Sequence, residues 1–410
     1  MSKEKKLGIL SSILLVLALV SVIIPPVPVL ASPYPYNPTD TEVASALDYL
    51  RSGQTTDGDI DGFSTSAWVT MAIAAAGEDP HDWKVRNNPS IVDYLANNAD
   101  DASSATDYAR MILAIVAADE DPASFGGVNF VTLLKGQYDD TQIGDASLLN
   151  DDFWGVMALI SAGESPSSEI VAKSVAFIKS NQNATDHGWS WGVGGDSDVD
   201  DTAAAIMALI AAGESSSSDV VTKGLAFIKS TQVNSGGFVS PGSWGADNAD
   251  TDSWAIDAIV AAEQEPTSDN WTKSGKNPID DLFTFQQGDG SFYWQSGNPG
   301  MSVPKTTASA ILALLGKPYP VKILQARWSF WAIEYPAALL KVCPGDTTVN
   351  LDTITGVPPE ILGVFGETAG VWKWFIPGWT PAENTLHELV SGRPYMVQLS
   401  GACTWVIAGE

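Results

Sequence analysis

A chain of 410 residues with 45% hydrophobic and 17% charged side chains is globular rather than disordered, and long enough for two or three domains. Its net charge of −28 repels phosphate backbones and excludes nucleic acid as a partner. The same acidity suits solubility or a cell-surface setting.

Residues 1–31 read as an export signal. Lys3, Lys5 and Lys6 precede an apolar run over 7–24. Pro25, Pro26 and Pro28 then lead to Val29-Leu30-Ala31, a small-residue cleavage site. Cleavage is expected after Ala31. Left uncleaved, the run is near the lower length limit for a membrane anchor, the one route by which the chain would touch a membrane. In either case the body is expected outside the cytoplasm, secreted or at the cell surface. Residues 32–40 form a Pro-rich linker.

From 41 to 317 the chain repeats one grammar, most plainly at 173–213 and its near copy 223–262. An amphipathic helix runs toward Gln182 or Gln232. A Gly/aromatic turn follows, Gly188-Trp189-Ser190-Trp191 or Gly236-Gly237-Phe238. An Asp-rich approach then enters an Ala-rich helix. Four more helix pairs fit the pattern: 41–54 with 64–77, 89–98 with 104–118, 128–137 with 149–163, and 278–287 with 305–316. In the first helix of a pair, Val221, Leu225 and Ile228 make a one-sided stripe while Asp219, Lys223 and Lys229 point elsewhere. In the second, 203–212 is apolar all round, as in a helix buried on every side. Gly77, Gly163 and Gly213 stop such helices in the left-handed conformation. Together these predict a mostly α protein: an α/α six-hairpin toroid, a double ring of about 12 helices.

Past Pro320 the pattern changes. Short β-branched or aromatic runs at 321–325, 328–334, 371–375, 395–399 and 404–408 alternate with Gly/Pro turns. Residues 318–410 therefore read as a small all-β domain. Its Cys343 and Cys403 are expected to pair in an oxidising compartment, closing a loop worth about 4 kcal/mol on the chain-entropy model.

Residues 223–238, Lys-Gly-x-x-Phe-Ile-x-x-x-Gln-x-x-x-Gly-x-Phe, resemble the Gln/Trp repeat of squalene and terpene cyclases. The six-unit layout is similar to the toroid shared by those cyclases, protein prenyltransferase β-subunits and the cobalamin carriers. A toroid followed by a β domain resembles the cobalamin carriers in particular, which implies a corrinoid as one ligand. Asp198-Val199-Asp200-Asp201-Thr202-Ala203 has the form of the class II cyclase acid motif, which implies Asp200, with Asp198 and Asp201 beside it, as a general acid. The competing expectation is that Asp200 or Asp201 caps its helix. Prenyltransferase chemistry is excluded, because the toroid has no Cys and only His81 and His187 for a zinc site.

If the inner helices run parallel, their first turns gather aromatics and acids at one mouth. Trp68, Tyr108, Asp152, Trp154, Trp191, Asp201, Trp244, Asp252, Trp254, Tyr293 and Trp294 are the candidate ligand-binding residues there. Asp57, Asp59 and Asp61 copy the first half of a calcium loop, with Trp68 where the bidentate Glu should stand. The preferred function is an exported, non-catalytic protein that binds a small-molecule ligand or surface glycan at the mouth. The alternative is a terpene cyclase-like enzyme using Asp200.

Overall fold

The computed structural model describes residues 34–241 and 246–321 with their side chains, and five strands between 348 and 399 by backbone. The export signal, Trp244, Cys343, Cys403 and the runs expected as strands at 328–334 and 404–408 lie outside the described residues. The chain falls into two units, Met1–Ile323 and Leu324–Glu410.

The first unit is built from six helix pairs: α1 (Thr41–Ser52) and α2 (Gly62–Ala75), α3 (Ile91–Asn97) and α4 (Ala105–Ala117), α5 (Phe130–Lys135) and α6 (Asn150–Ser161), α7 (Glu169–Ser180) and α8 (Val199–Ala211), α9 (Asp219–Ser230) and α10 (Ala249–Ala261), α11 (Pro278–Leu282) and α12 (Val303–Leu315). The even-numbered helices pack in succession, and α12 packs back on α2, so the inner ring closes. Outside it, α3 leans on α2, α5 on α4, α7 on α6, α9 on α8, α11 on α10 and α1 on α12. This is the α/α toroid.

Side chains explain the two layers. Ala203 to Leu209 of α8 are all buried, and the four alanines among them let inner helices pack closely. On α9 the buried residues are Val221, Gly224, Leu225, Phe227 and Ile228, while Asp219 and Lys223 are exposed. A Cβ at Gly224 would stand 2.8 Å from the Trp189 ring, so glycine sets how closely α9 approaches the layer beneath.

All inner helices run the same way. At their starts, Lys305 of α12 pairs with Asp250 of α10 at 3.0 Å, and Thr65 of α2 meets Ser302 beside α12 at 3.4 Å. Leu149, before α6, donates its amide to the Trp191 carbonyl, before α8, at 2.9 Å. At their ends, Gly77, Gly163 and Gly213 turn at φ 79°, 87° and 90°, and Asp119 and Glu263 make the same left-handed turn in other units. The next residue then bonds back into the last turn, as Glu78 does to the Ile73 carbonyl and Glu214 to that of Leu209.

In the second unit, β1 (Thr348–Asn350) pairs antiparallel with β4 (Glu388–Val390). β2 (Ile361–Thr368) lies between β3 (Val371–Phe375) and β5 (Met396–Leu399), antiparallel to both.

Candidate functional site

Alternate inner helices each send one indole to the ring axis. Trp68 of α2, Trp154 of α6 and Trp254 of α10 meet edge to face, with centroids 5.1 Å (Trp68–Trp154), 5.1 Å (Trp154–Trp254) and 6.3 Å (Trp68–Trp254) apart. Beneath them Tyr319, on the segment that follows α12, touches all three at 5.4, 5.6 and 6.0 Å. These tryptophans are the seventh, fifth and sixth residues of their helices. At 1.5 Å per residue they form a floor roughly 8 Å below the helix starts. Among the described residues, the helix starts and this aromatic floor frame a bowl.

Two cations stand on the bowl wall. The Arg110 guanidinium of α4 lies 6.0 Å from the Trp68 ring and is paired with Asp107 one turn earlier. Lys305 Nζ lies 5.6 Å from the Trp254 ring while paired with Asp250. Neither was among the expected site residues. The available signal was a single cation inside an otherwise apolar inner helix, a costly placement without a partner. The side chains of Arg110, Asn150 and Asp200 are partly exposed, while one polar atom of each, Arg110 Nε, Asn150 Oδ1 and Asp200 Oδ1, is closed off from solvent without a hydrogen-bond partner. They come from α4, α6 and α8, three neighbours in the ring.

The expected cap at Asp200 or Asp201 is corrected by the structure. Asp198, not Asp200 or Asp201, caps α8, accepting the Asp201 amide at 2.8 Å. The Asp198 and Asp201 carboxyls lie together, and burial raises both above the ordinary carboxylate range, with their mutual repulsion adding to it at Asp201. Asp200 makes no bond to its helix's first amides. It retains some solvent contact, yet protein surrounds it as the wall of a concavity would. Burial pushes its carboxyl up to about 7, with repulsion from Asp198 and Asp250 adding to that; the Thr251 hydroxyl and Lys305 pull the other way.

Other expected residues sit elsewhere. Asp152 and Asp252 are 0% exposed and face the outer helices, so they do not line the bowl. Each accepts the amide of the turn before its helix, Ile143 at 3.0 Å and Phe238 at 2.8 Å. In three other units a hydroxyl does this job: Ser66 for Ile60, Thr202 for Trp189 and Thr307 for Phe292. Burial raises both carboxyls, that of Asp152 to about 7. Tyr108 turns toward the outer layer, 6.5 Å from Phe130. Trp191 stands on the rim, while Tyr293 and Trp294 are half-buried in the loop before α12. The calcium loop is also corrected. Asp59 accepts from Thr55 and the Gly62 amide, and Asp61 from Ser302. Among the described residues no three His, Cys, Asp or Glu side chains converge to hold a metal.

No protein-family model and no curated protein matches this chain. Solved structures similar to its path include a type II terpene cyclase from Scytonema, with TM-score 0.47 and 10% identity over 67% of this chain and 96% of the other. An ent-copalyl diphosphate synthase from Streptomyces platensis gives 0.43 and 15% over 62% and 50%. A possible member of the GH105 family from Salmonella enterica gives 0.49 and 11% over 67% and 92%. What the bowl can bind follows from its own residues.

Proposed function

We propose that this is an exported, non-catalytic binding protein whose bowl takes a sugar residue of a surface glycan. The observation that carries the reading is the pairing of an indole floor with partly exposed polar side chains, Arg110, Asn150 and Asp200, on the helices around it. A sugar ring has an apolar C–H face and a hydroxyl equator. The face can lie on the indoles, and the hydroxyls can meet the partly exposed side chains of Arg110, Asn150 and Asp200. A corrinoid clasped between toroid and β domain, the other ligand considered, needs a second surface; the sugar uses only the bowl.

The proposal includes the layout: signal at 1–31, linker at 32–40, toroid at 41–317 and a small β domain at 318–410 stapled by Cys343 and Cys403. The short antiparallel strands described beyond residue 347 support the last part.

One observation favours a second reading, acid catalysis by Asp200 in the manner of class II terpene cyclases. With Asp198 as the cap, Asp200 is free of its helix's amides and can be protonated near neutrality. Against it, the indole floor fills the axis roughly 8 Å down and leaves little room to enclose a polyprenyl chain. A glycan array probed with the purified chain tests the first reading. Retention on defined glycans, weakened in Asn150→Ala, is expected; retention on none overturns it. Conversion of a polyprenyl substrate that disappears in Asp200→Asn would establish the second.

A further inference from the structure

We propose that the bowl takes a chain rather than one sugar. A second stacking position, Trp191 on the rim, receives the next residue of the glycan where it leaves the bowl between α6 and α8. This deepens the glycan reading and rests on it.

Trp191 is 57% exposed, the most exposed tryptophan among the described residues. Its neighbour in the alternation, Trp189, is fully buried, with its indole N–H bonded to the Ile178 carbonyl at 2.8 Å. The turn therefore keeps one indole as core and turns the other out. A single exposed apolar residue is ordinary on a surface. What sets Trp191 apart is how it is held and what lies next to it.

The loop that carries it is tied to the neighbouring unit by backbone. The Trp191 carbonyl accepts the Leu149 amide at 2.9 Å and the Asn150 amide at 3.4 Å, and the Val193 amide donates to the Ser147 carbonyl at 2.9 Å. Between them Gly192 lies so close that a Cβ would stand 3.0 Å from the Ser147 oxygen. The backbone that carries the exposed indole is thus fixed against the start of α6. Asn150, whose backbone amide holds it, has a partly exposed side chain at the start of α6. An apolar platform and a polar side chain are therefore contiguous across the rim at this point. Val193, 45% exposed, extends the same apolar edge. Further round the wall the charges are already engaged, Asp107 with Arg110 and Asp250 with Lys305. Among the described residues, the rim between α6 and α8 offers a second sugar face a surface and its hydroxyl a polar side chain.

The test is calorimetric titration of the full chain with N-acetylglucosamine and glucose, and with their β-1,4-linked oligomers of two to six residues. One added stacked ring is expected to raise affinity about tenfold from one residue to two, with little gain beyond three. Trp191→Ala should lower oligomer affinity about tenfold more than monosaccharide affinity, and Trp191→Phe should restore most of the difference. Equal affinity for monomer and oligomers in the wild type, or an equal loss for both in Trp191→Ala, overturns the rim position while leaving the bowl standing. If no sugar of either series binds, or if Asn150→Ala and Trp254→Leu leave binding intact, the bowl reading fails and the rim position with it.

Discussion

Gln286 donates from Nε2 to the carbonyl of Glu42, 244 residues earlier in the chain, at 2.8 Å. The bond joins the last helix pair to the first. Three other glutamines make its equivalent. Gln54 bonds the Gly58 and Trp83 carbonyls, Gln182 those of His187 and Val220, and Gln232 those of Gly236 and Trp271. In each case one bond closes the glutamine's own turn and the other reaches the next outer segment.

The consequence is measurable at Gln232, the fully buried example. Gln232→Ala leaves two buried carbonyls, those of Gly236 and Trp271, without their donor. A loss of about 2–4 kcal/mol is expected, and a melting temperature lower by several degrees. Gln232→Glu should be no better, because an ionised carboxylate has no hydrogen to give. A melting temperature within one degree of wild type for Gln232→Ala would remove the glutamine from its bridging role.

Much of this ring was legible beforehand. The stripe of α9 and the all-apolar run of α8 specify an outer and an inner helix, because burial on one side or on all sides leaves different periodicities. Trp68, Trp154 and Trp254 could be placed near the mouth by their position after each turn. That they meet at the axis could not, since it depends on the rotation of each helix. The same limit misplaced Asp152 and Asp252. One step along a helix turns a side chain by about 100°. An acid in the first turn therefore reads alike whether it lines the bowl, as Asp200 does, or pins a turn behind it. Arg110 and Lys305 were missed although a lone cation in an apolar helix is itself a signal, because it does not show which face of the helix the side chain takes.

Asp152 makes the protein less stable as pH rises. Its folded value of about 7 exceeds the ordinary 3.8, so between these the folded state holds a proton the unfolded state has released. Its contribution is complete below about 4 and is lost as pH climbs through 7. Asp152→Thr, which installs the residue that unit four has at Thr202, should therefore raise stability at pH 8 by about 1–3 kcal/mol and flatten the slope between pH 5 and 8. Urea unfolding at pH 5 and pH 8 reads both effects. An unchanged slope would mean that Asp152 is ionised in the fold.

The acid motif predicts opposite outcomes for two neighbouring aspartates. Asp198→Ala removes the α8 cap and should cost about 1 kcal/mol. Asp200→Asn removes no cap and replaces a carboxyl that is pushed up to about 7 with a neutral group of the same shape. It should be neutral at pH 5 and stabilising at pH 8, because the raised carboxyl loses its contribution across that interval. If Asp200→Asn proved the costlier change at both values, Asp200 would be serving the helix after all.

Tyr319 holds the bowl floor from below, and its ring rather than its hydroxyl is the part that matters. It is buried against Trp68, Trp154 and Trp254 and belongs to the segment that leaves the toroid after α12. Tyr319→Ala would leave the three indoles without a support and open space under them. A loss of about 3–5 kcal/mol is expected, as for other buried aromatic truncations. The tryptophan emission should shift to longer wavelength as water reaches the floor. Tyr319→Phe keeps the ring contacts and should stay within about 1 kcal/mol of wild type with unchanged emission. Sugar affinity should follow the emission: retained in Tyr319→Phe, and reduced in Tyr319→Ala because a floor free to sink no longer presents a flat face. If Tyr319→Ala left both melting and emission as in the wild type, the indoles would be held by their own helices alone, and the segment after α12 would have no part in shaping the bowl.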